Sequence, residues 1–307
     1  MPNKTKELTY WDYLNLDTLL NCQKNRQSKF NDETIFLIYH QICELYFKLI
    51  IQEITLIQKN QAFEYLDKNK PPNLLMNWMN RLDRIDNYFC LLINSFSVLS
   101  IKGLSTDEFY KFRDNLKHVS GFQTAQFRTI EIMLTSLKNL IVPTSDIDQL
   151  KIEESNNEEK YELIYWKKGA IEMGSNKKSQ MLINFEKKYD EEFKELIIQQ
   201  KNLNLFTLFQ NLTYPFIKKD NEKDYIQWEK FKDFVNLKLV RIDNLIYDWK
   251  FKHFETVGEH MNQFKKFDES TNGNSVSPNE QIQGTGGTNA HEFLTQSLKT
   301  IRYFPLR

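Results

Sequence analysis

Phe109 and Arg113 stand four residues apart in DEFYKFRDNLKHVSGFQTAQFRTIE, residues 107–131. On a helix that spacing puts an aromatic ring and a guanidinium on one face. The ring can stack on a flat aromatic molecule while the guanidinium grips a carboxylate on the same molecule with paired hydrogen bonds. A break at Ser120-Gly121 sets a hydroxyl and a bare backbone beside that face. Taken singly, F-x-x-x-R is ordinarily a core ring plus a surface cation. Its meaning depends on what the fold brings to it.

Three further groups carry possible chemistry. Phe36 and His40 repeat the four-residue spacing, with His40 among Ile38, Tyr39 and Ile42. A lone histidine there is ordinarily a satisfied core residue. Trp249, His253 and Val257 share one face of a long helical stretch, and His260 follows seven residues after His253. Thr285 lies in GTGGT from Gly284. A glycine-rich turn can cradle anions with backbone N–H groups, but no Lys-Ser/Thr follows, so this is not a Walker A loop. CxxC, HExxH, GxSxG and EF-hand patterns are absent from the sequence.

The elements that must position these residues read as helices. Only 9 glycines and 7 prolines in 307 residues, with abundant Leu, Ile, Lys, Glu and Gln, favour an all-α chain. Tyr10 and Tyr13, three apart, fall on one face of an N-terminal helix. Asn31-Asp32-Glu33 can cap a helix to about residue 59. Apolar spacing predicts another from about 73 to 99. Ser105-x-x-Glu108 has the form of a capping box and starts the helix of Phe109 and Arg113. The next is expected over 124–141, with Gln126, Arg128 and Glu131 on it; buried polar groups of this kind need partners, so a hydrogen-bonded network is expected. Residues 142–178 read as a solvated connection with short helical pieces. Helices are expected over 179–200, 203–212, 224–264 and 289–302, with a mobile loop over 265–287. The whole reads as one helical-bundle domain, 1–307, with an N-terminal arm over 1–30.

Composition narrows the function. Lys plus Arg and Asp plus Glu are both 41, which excludes a globally basic nucleic-acid binder. Cys22, Cys43 and Cys90 form no paired framework and no metal-ligand spacing. With no secretory pattern at the start, a reducing cytoplasm is the expected location. No apolar run is read as reaching spanning length, so no membrane partner is expected.

Five stretches in order, YWDYLNLDTLLNCQ, DETIFLIYHQICELYFKL, FYKFRDNLKHVSGFQTAQFRTIE, WKFKHFETV and GTGGT, resemble the tryptophan 2,3-dioxygenase family. The resemblance implies an all-helical enzyme with one b-type haem per subunit, Fe2+ in the active form, usually assembled as a homotetramer (a dimer of dimers). It implies cleavage of the indole ring of L-tryptophan by O2 to N-formylkynurenine. His253 matches the proximal iron ligand and His40 the distal histidine facing the indole N–H. Phe36, Phe109 and Leu116 match walls of the indole pocket, and Arg113 matches the carboxylate-binding arginine. Ser120 and Gly121 match positions lining the distal haem pocket. Thr285 matches a threonine at the amino-acid end of the substrate. Tyr10 and Tyr13 match residues lent by a neighbouring subunit. Gly258-Glu259-His260 departs from the family's pattern after Val257, and His260 is a rival for the iron. A family offshoot acting on a modified tryptophan or another aromatic amino acid, and a non-catalytic haem or aromatic-ligand sensor, are the alternative readings.

Overall fold

The computed structural model describes residues 8–23, 30–64, 71–113, 116, 121–142, 149–172, 177–211, 222–272, 298 and 302–305. Helices α1 (Tyr10–Leu14) and α2 (Leu16–Asn21) open the chain. Thr9 caps α1, and Asn15, in the left-handed region at φ 50°, turns the chain between the two. Neither helix buries a residue. The pair is tied down by Gln41, whose side-chain amide donates to the Cys22 carbonyl at 3.3 Å and accepts from Gln23 at 2.6 Å.

The bundle proper is built from α3 (Glu33–Glu64), α4 (Pro71–Ser95) and α12 (Glu222–Asn272), with α3 and α12 both lying along α4. Tyr39, Cys43, Phe47, Ile50, Ile54 and Ile57 recur on α3 at three- and four-residue intervals and face the core. Ion pairs fix the helix register. Glu53 on α3 receives Arg81 and Arg84 of α4, each at 2.8 Å. Lys238 of α12 meets Asp83 of α4 at 2.7 Å, and Arg241 meets Asp86.

Contrary to the expectation from the sequence, residues Glu33–Lys59 are long and apolar enough to cross a membrane, by length and composition alone. The cause is a second apolar stripe. Ile38, Ile42, Leu45 and Leu49 are exposed on the face of α3 turned away from the core face.

Between the long helices run α5 (Thr106–Arg113), α6 (Ala125–Leu134), α7 (Gln149–Glu154), α8 (Asn157–Leu163), α9 (Tyr165–Gly169), α10 (Gln180–Gln200) and α11 (Leu205–Gln210). The only β pairing among the described residues is two isolated antiparallel bridges. Three boundaries differ from the sequence reading. The helix expected to reach 141 stops at Leu134, because Thr135 and Ser136 turn extended before a 3-10 turn over Leu137–Leu140. The stretch read as a solvated connection contributes Tyr161, Ile164, Tyr165 and Trp166 to the core, from helices too short to show a period. Helix α12 continues to Asn272, into the span expected as a loop. The rest of that span, and all but residue 298 and the end of the helix expected over 289–302, lie outside the described residues.

The link that delivers α5 is tight. Gly103 donates to the Ser100 carbonyl at 2.8 Å. A Cβ built there would lie 2.3 Å from the Val98 carbonyl oxygen and 2.8 Å from that of Ser97. Both obstacles are backbone, so neither can swing aside. Gly103→Ala is expected to lower stability by about 1–3 kcal/mol, the usual cost of overpacking. Urea unfolding measures it, and an unchanged midpoint would show that the turn yields freely.

Candidate active site

Phe36 and His40 lie one turn apart on α3, their rings 4.1 Å between centroids. His40 Nδ1 is 2.7 Å from the Phe36 carbonyl oxygen. A carbonyl can only accept, so Nδ1 carries the proton and Nε2 is left with its lone pair. Burial lowers the His40 pKa against the opposing pull of the Phe36 carbonyl and Glu44, so the ring is neutral. Tyr39 meets it edge-on at 5.2 Å.

Helix α5 brings Phe109 to this place, 6.1 Å from Phe36 and 5.5 Å from the buried Phe112. Arg113, one turn on, is half-buried with its guanidinium 5.3 Å above the Tyr110 ring. Leu116 follows, buried in the core. Gly121 opens a 3-10 turn over Gly121–Gln123. From α6, the Gln126 amide reaches back to the Glu44 carbonyl at 2.9 Å and its carboxylate at 2.7 Å, fastening α6 to the helix of His40.

Helix α12 contributes His253. Phe96 lies 6.1 Å from its ring and Trp249 6.4 Å. Trp249 in turn packs on Phe47 and Phe127 at 5.6 and 4.8 Å. Burial pushes the His253 pKa down to about 4, and His40 is near enough to add to the effect. His253 makes no hydrogen bond to another described residue, and the buried Trp249 Nε1 has no partner either. A neutral imidazole without a described hydrogen-bond partner, in an aromatic setting, is a group that could hold haem iron.

His260 is not available for that role. Its Nε2 lies 2.8 Å from the Leu99 carbonyl oxygen and its Nδ1 3.3 Å from Thr106 Oγ1. Both ring nitrogens are committed to protein groups, whereas those of His253 have no described hydrogen-bond partner.

Tyr10 and Tyr13 stand on α1 at 70% and 75% exposure, and within one chain they line no site. Ser120 and Thr285 lie outside the described residues. A cluster of Glu162, Glu186 and Asp190 has oxygens close enough for a metal, but the buried Lys167 ammonium already sits among them at 2.5, 2.9 and 3.4 Å.

The network expected around Arg128 and Glu131 is present, with partners that the sequence does not reveal. The fully buried Glu131 receives Arg128 at 2.9 Å, Lys250 at 3.2 Å, Tyr165 at 2.7 Å and Tyr303 at 2.6 Å. Burial alone would raise the Glu131 carboxyl. Lys250, Arg128 and the two phenols outweigh it and hold the pKa below the ordinary range. Lys250 precedes His253 by three residues, so the network grips α12 within a turn of that histidine.

The fold and site together define an all-α protein with a cluster of aromatic rings that takes in two histidines of lowered pKa, His40 on α3 and His253 on α12. A family model described as Tryptophan 2,3-dioxygenase matches residues 2–202, and the chain belongs to that family. Proteins named Tryptophan 2,3-dioxygenase from Bacillus thuringiensis subsp. konkukian (strain 97-27) and Serratia proteamaculans (strain 568) are similar along its length. Each is 28% identical, over 308 and 310 residues, covering 98% of this chain and 90% and 91% of the relative. One of the same name from Sorangium cellulosum (strain So ce56) is 38% identical over 135 residues, 42% of this chain and 31% of its own length.

Proposed function

We propose that this protein is a haem-dependent dioxygenase that opens the indole ring of L-tryptophan with O2 to give N-formylkynurenine. The observation that carries this reading is that α3 and α5 bring Phe36, His40 and Phe109 together while α12 holds His253 near enough to His40 to feel its charge. His253 would hold the haem. When bound, the haem supplies iron that activates O2.

The chain's own residues bind and aim the substrate. Phe36 and Phe109 offer flat apolar walls to the indole. His40 Nε2, held as an acceptor by the bond from Nδ1–H to Phe36, receives the indole N–H; it orients and removes no proton. Arg113 binds the carboxylate with directed, charge-assisted hydrogen bonds. By match to the family motifs, Ser120 and Gly121 would line the distal haem pocket and Thr285 would hold the amino-acid end of the substrate. Both oxygen atoms enter the substrate and the indole C2–C3 bond breaks, so no external reductant is consumed by each turnover.

The active form is a homotetramer in the reducing cytoplasm, with Tyr10 and Tyr13 completing a neighbour's pocket. Supporting this are α1 and α2, which bury no residue and leave Tyr10, Trp11, Tyr13, Leu19 and Leu20 exposed. The exposed stripe Ile38, Ile42, Leu45, Leu49 adds to it, because its 4-3-4 spacing is that of a helix-pairing seam.

The test is mass spectrometry of products from haem-loaded, reduced protein given L-tryptophan and 18O2. Two labelled oxygens in N-formylkynurenine are expected. A one-oxygen product would replace this reading with a mono-oxygenating offshoot, and binding without product with a sensor.

A further inference from the structure

His260 lies on α12 two turns beyond His253 and is buried. It touches three separate parts of the site. Its Nε2–H donates to the Leu99 carbonyl at 2.8 Å, in the turn that follows Phe96, the ring against His253. That leaves Nδ1 as the acceptor for the Thr106 hydroxyl at 3.3 Å, on the first residue of α5. The face of the ring lies 5.4 Å from Phe109 between centroids. Phe109 therefore packs against both Phe36 and His260.

We propose that His260 is a positioning residue that sets the depth of the aromatic pocket by backing the Phe109 wall, and so limits which ring substituents the site accepts. The inference rests on the reading of Phe109 as a wall of the indole pocket. The two hydrogen bonds hold the imidazole in one orientation, and the ring fills the space into which Phe109 would otherwise retreat. An aliphatic residue could fill that space but could not tie α12 to both the Leu99 turn and the start of α5.

The test compares L-tryptophan with 5-methyl- and 6-methyl-L-tryptophan. Dissociation constants come from calorimetry on the haem-loaded protein, and KM and kcat from steady-state assays. His260→Ala is expected to weaken L-tryptophan binding and to shift the methyl-to-unsubstituted preference towards the methylated ligands by about tenfold, the scale at which a hydrophobic pocket discriminates one carbon. The change should fall mainly on KM. His260→Gln retains a donor for Leu99 and an acceptor for Thr106, and is expected to recover most of the wild-type preference. A folded, haem-loaded His260→Ala protein with unchanged preference overturns the proposal. If His260→Ala does not fold, a His260→Gln protein whose preference departs as far as about tenfold from wild type overturns it instead. Failure of the wild type to yield product counts against the dioxygenase reading. The calorimetric preference still decides the role of His260.

Discussion

His253→Ala protein is expected to purify with its helices intact and its haem gone. The imidazole has no described hydrogen-bond partner, and the nearby His40 has already committed Nδ1 to its own helix. Changes to groups that merely orient a metal ligand cost about 10–100-fold in affinity, so loss of the ligand itself costs at least that. The Soret absorbance per protein after gel filtration, checked by a pyridine haemochrome assay, measures it. His260→Ala is the control and should keep its haem, since both nitrogens of that ring are bonded to protein. The assignment would be refuted by His253→Ala retaining stoichiometric haem, and the two histidines would exchange roles if His260→Ala alone lost it.

The second large effect is on stability. Glu131→Gln removes the buried carboxylate shared by Arg128 and Lys250. The cost expected is about 3–5 kcal/mol, the range for leaving buried charges without their partner. That is a large share of the about 5–15 kcal/mol by which domains are stable. Adding Lys250→Met should restore part of the loss, because it withdraws one of the two stranded cations. Urea unfolding of the single and double variants reads both effects, and a single variant within about 1 kcal/mol of wild type would mean that the network relaxes or hydrates. The pH dependence follows from the sign. The folded-state pKa of Glu131 is depressed, so its contribution is complete above the ordinary carboxylate range and fades as pH falls towards the depressed value. Acid should therefore loosen the grip on α12 near His253.

The helices that carry chemistry are legible in the sequence because each holds its signal locally. Phe36 with His40, Phe109 with Arg113, and Trp249 with His253 are each spaced by one turn, and apolar periodicity finds α3, α4 and α12 around them. What is not legible is long-range. Glu131 invites a partner, yet Tyr165, Lys250 and Tyr303 lie 34, 119 and 172 residues away, with no spacing to connect them. Gln126 finds Glu44 across 82 residues in the same way. The short helical pieces expected over 142–178 are present as α7 to α9, but their burial escapes the reading because five to seven residues cannot display a period. The stop at Thr135 is a local choice of backbone within a segment whose composition favours continuing. His260 resembles a ligand in sequence because residue type and face are visible there, while the Leu99 carbonyl and the Thr106 hydroxyl that occupy it are not.

The bond from His40 to Phe36 joins a side chain to the carbonyl one turn earlier on its own helix, so the tautomer of His40 needs no help from any other part of the fold. Five consecutive residues encode an aromatic plate and, beside it, a nitrogen obliged to accept. Such a unit is portable. It would survive rearrangement of the surrounding bundle, and it could be grafted onto an unrelated helix wherever a binding protein must tell a ring N–H from a ring oxygen.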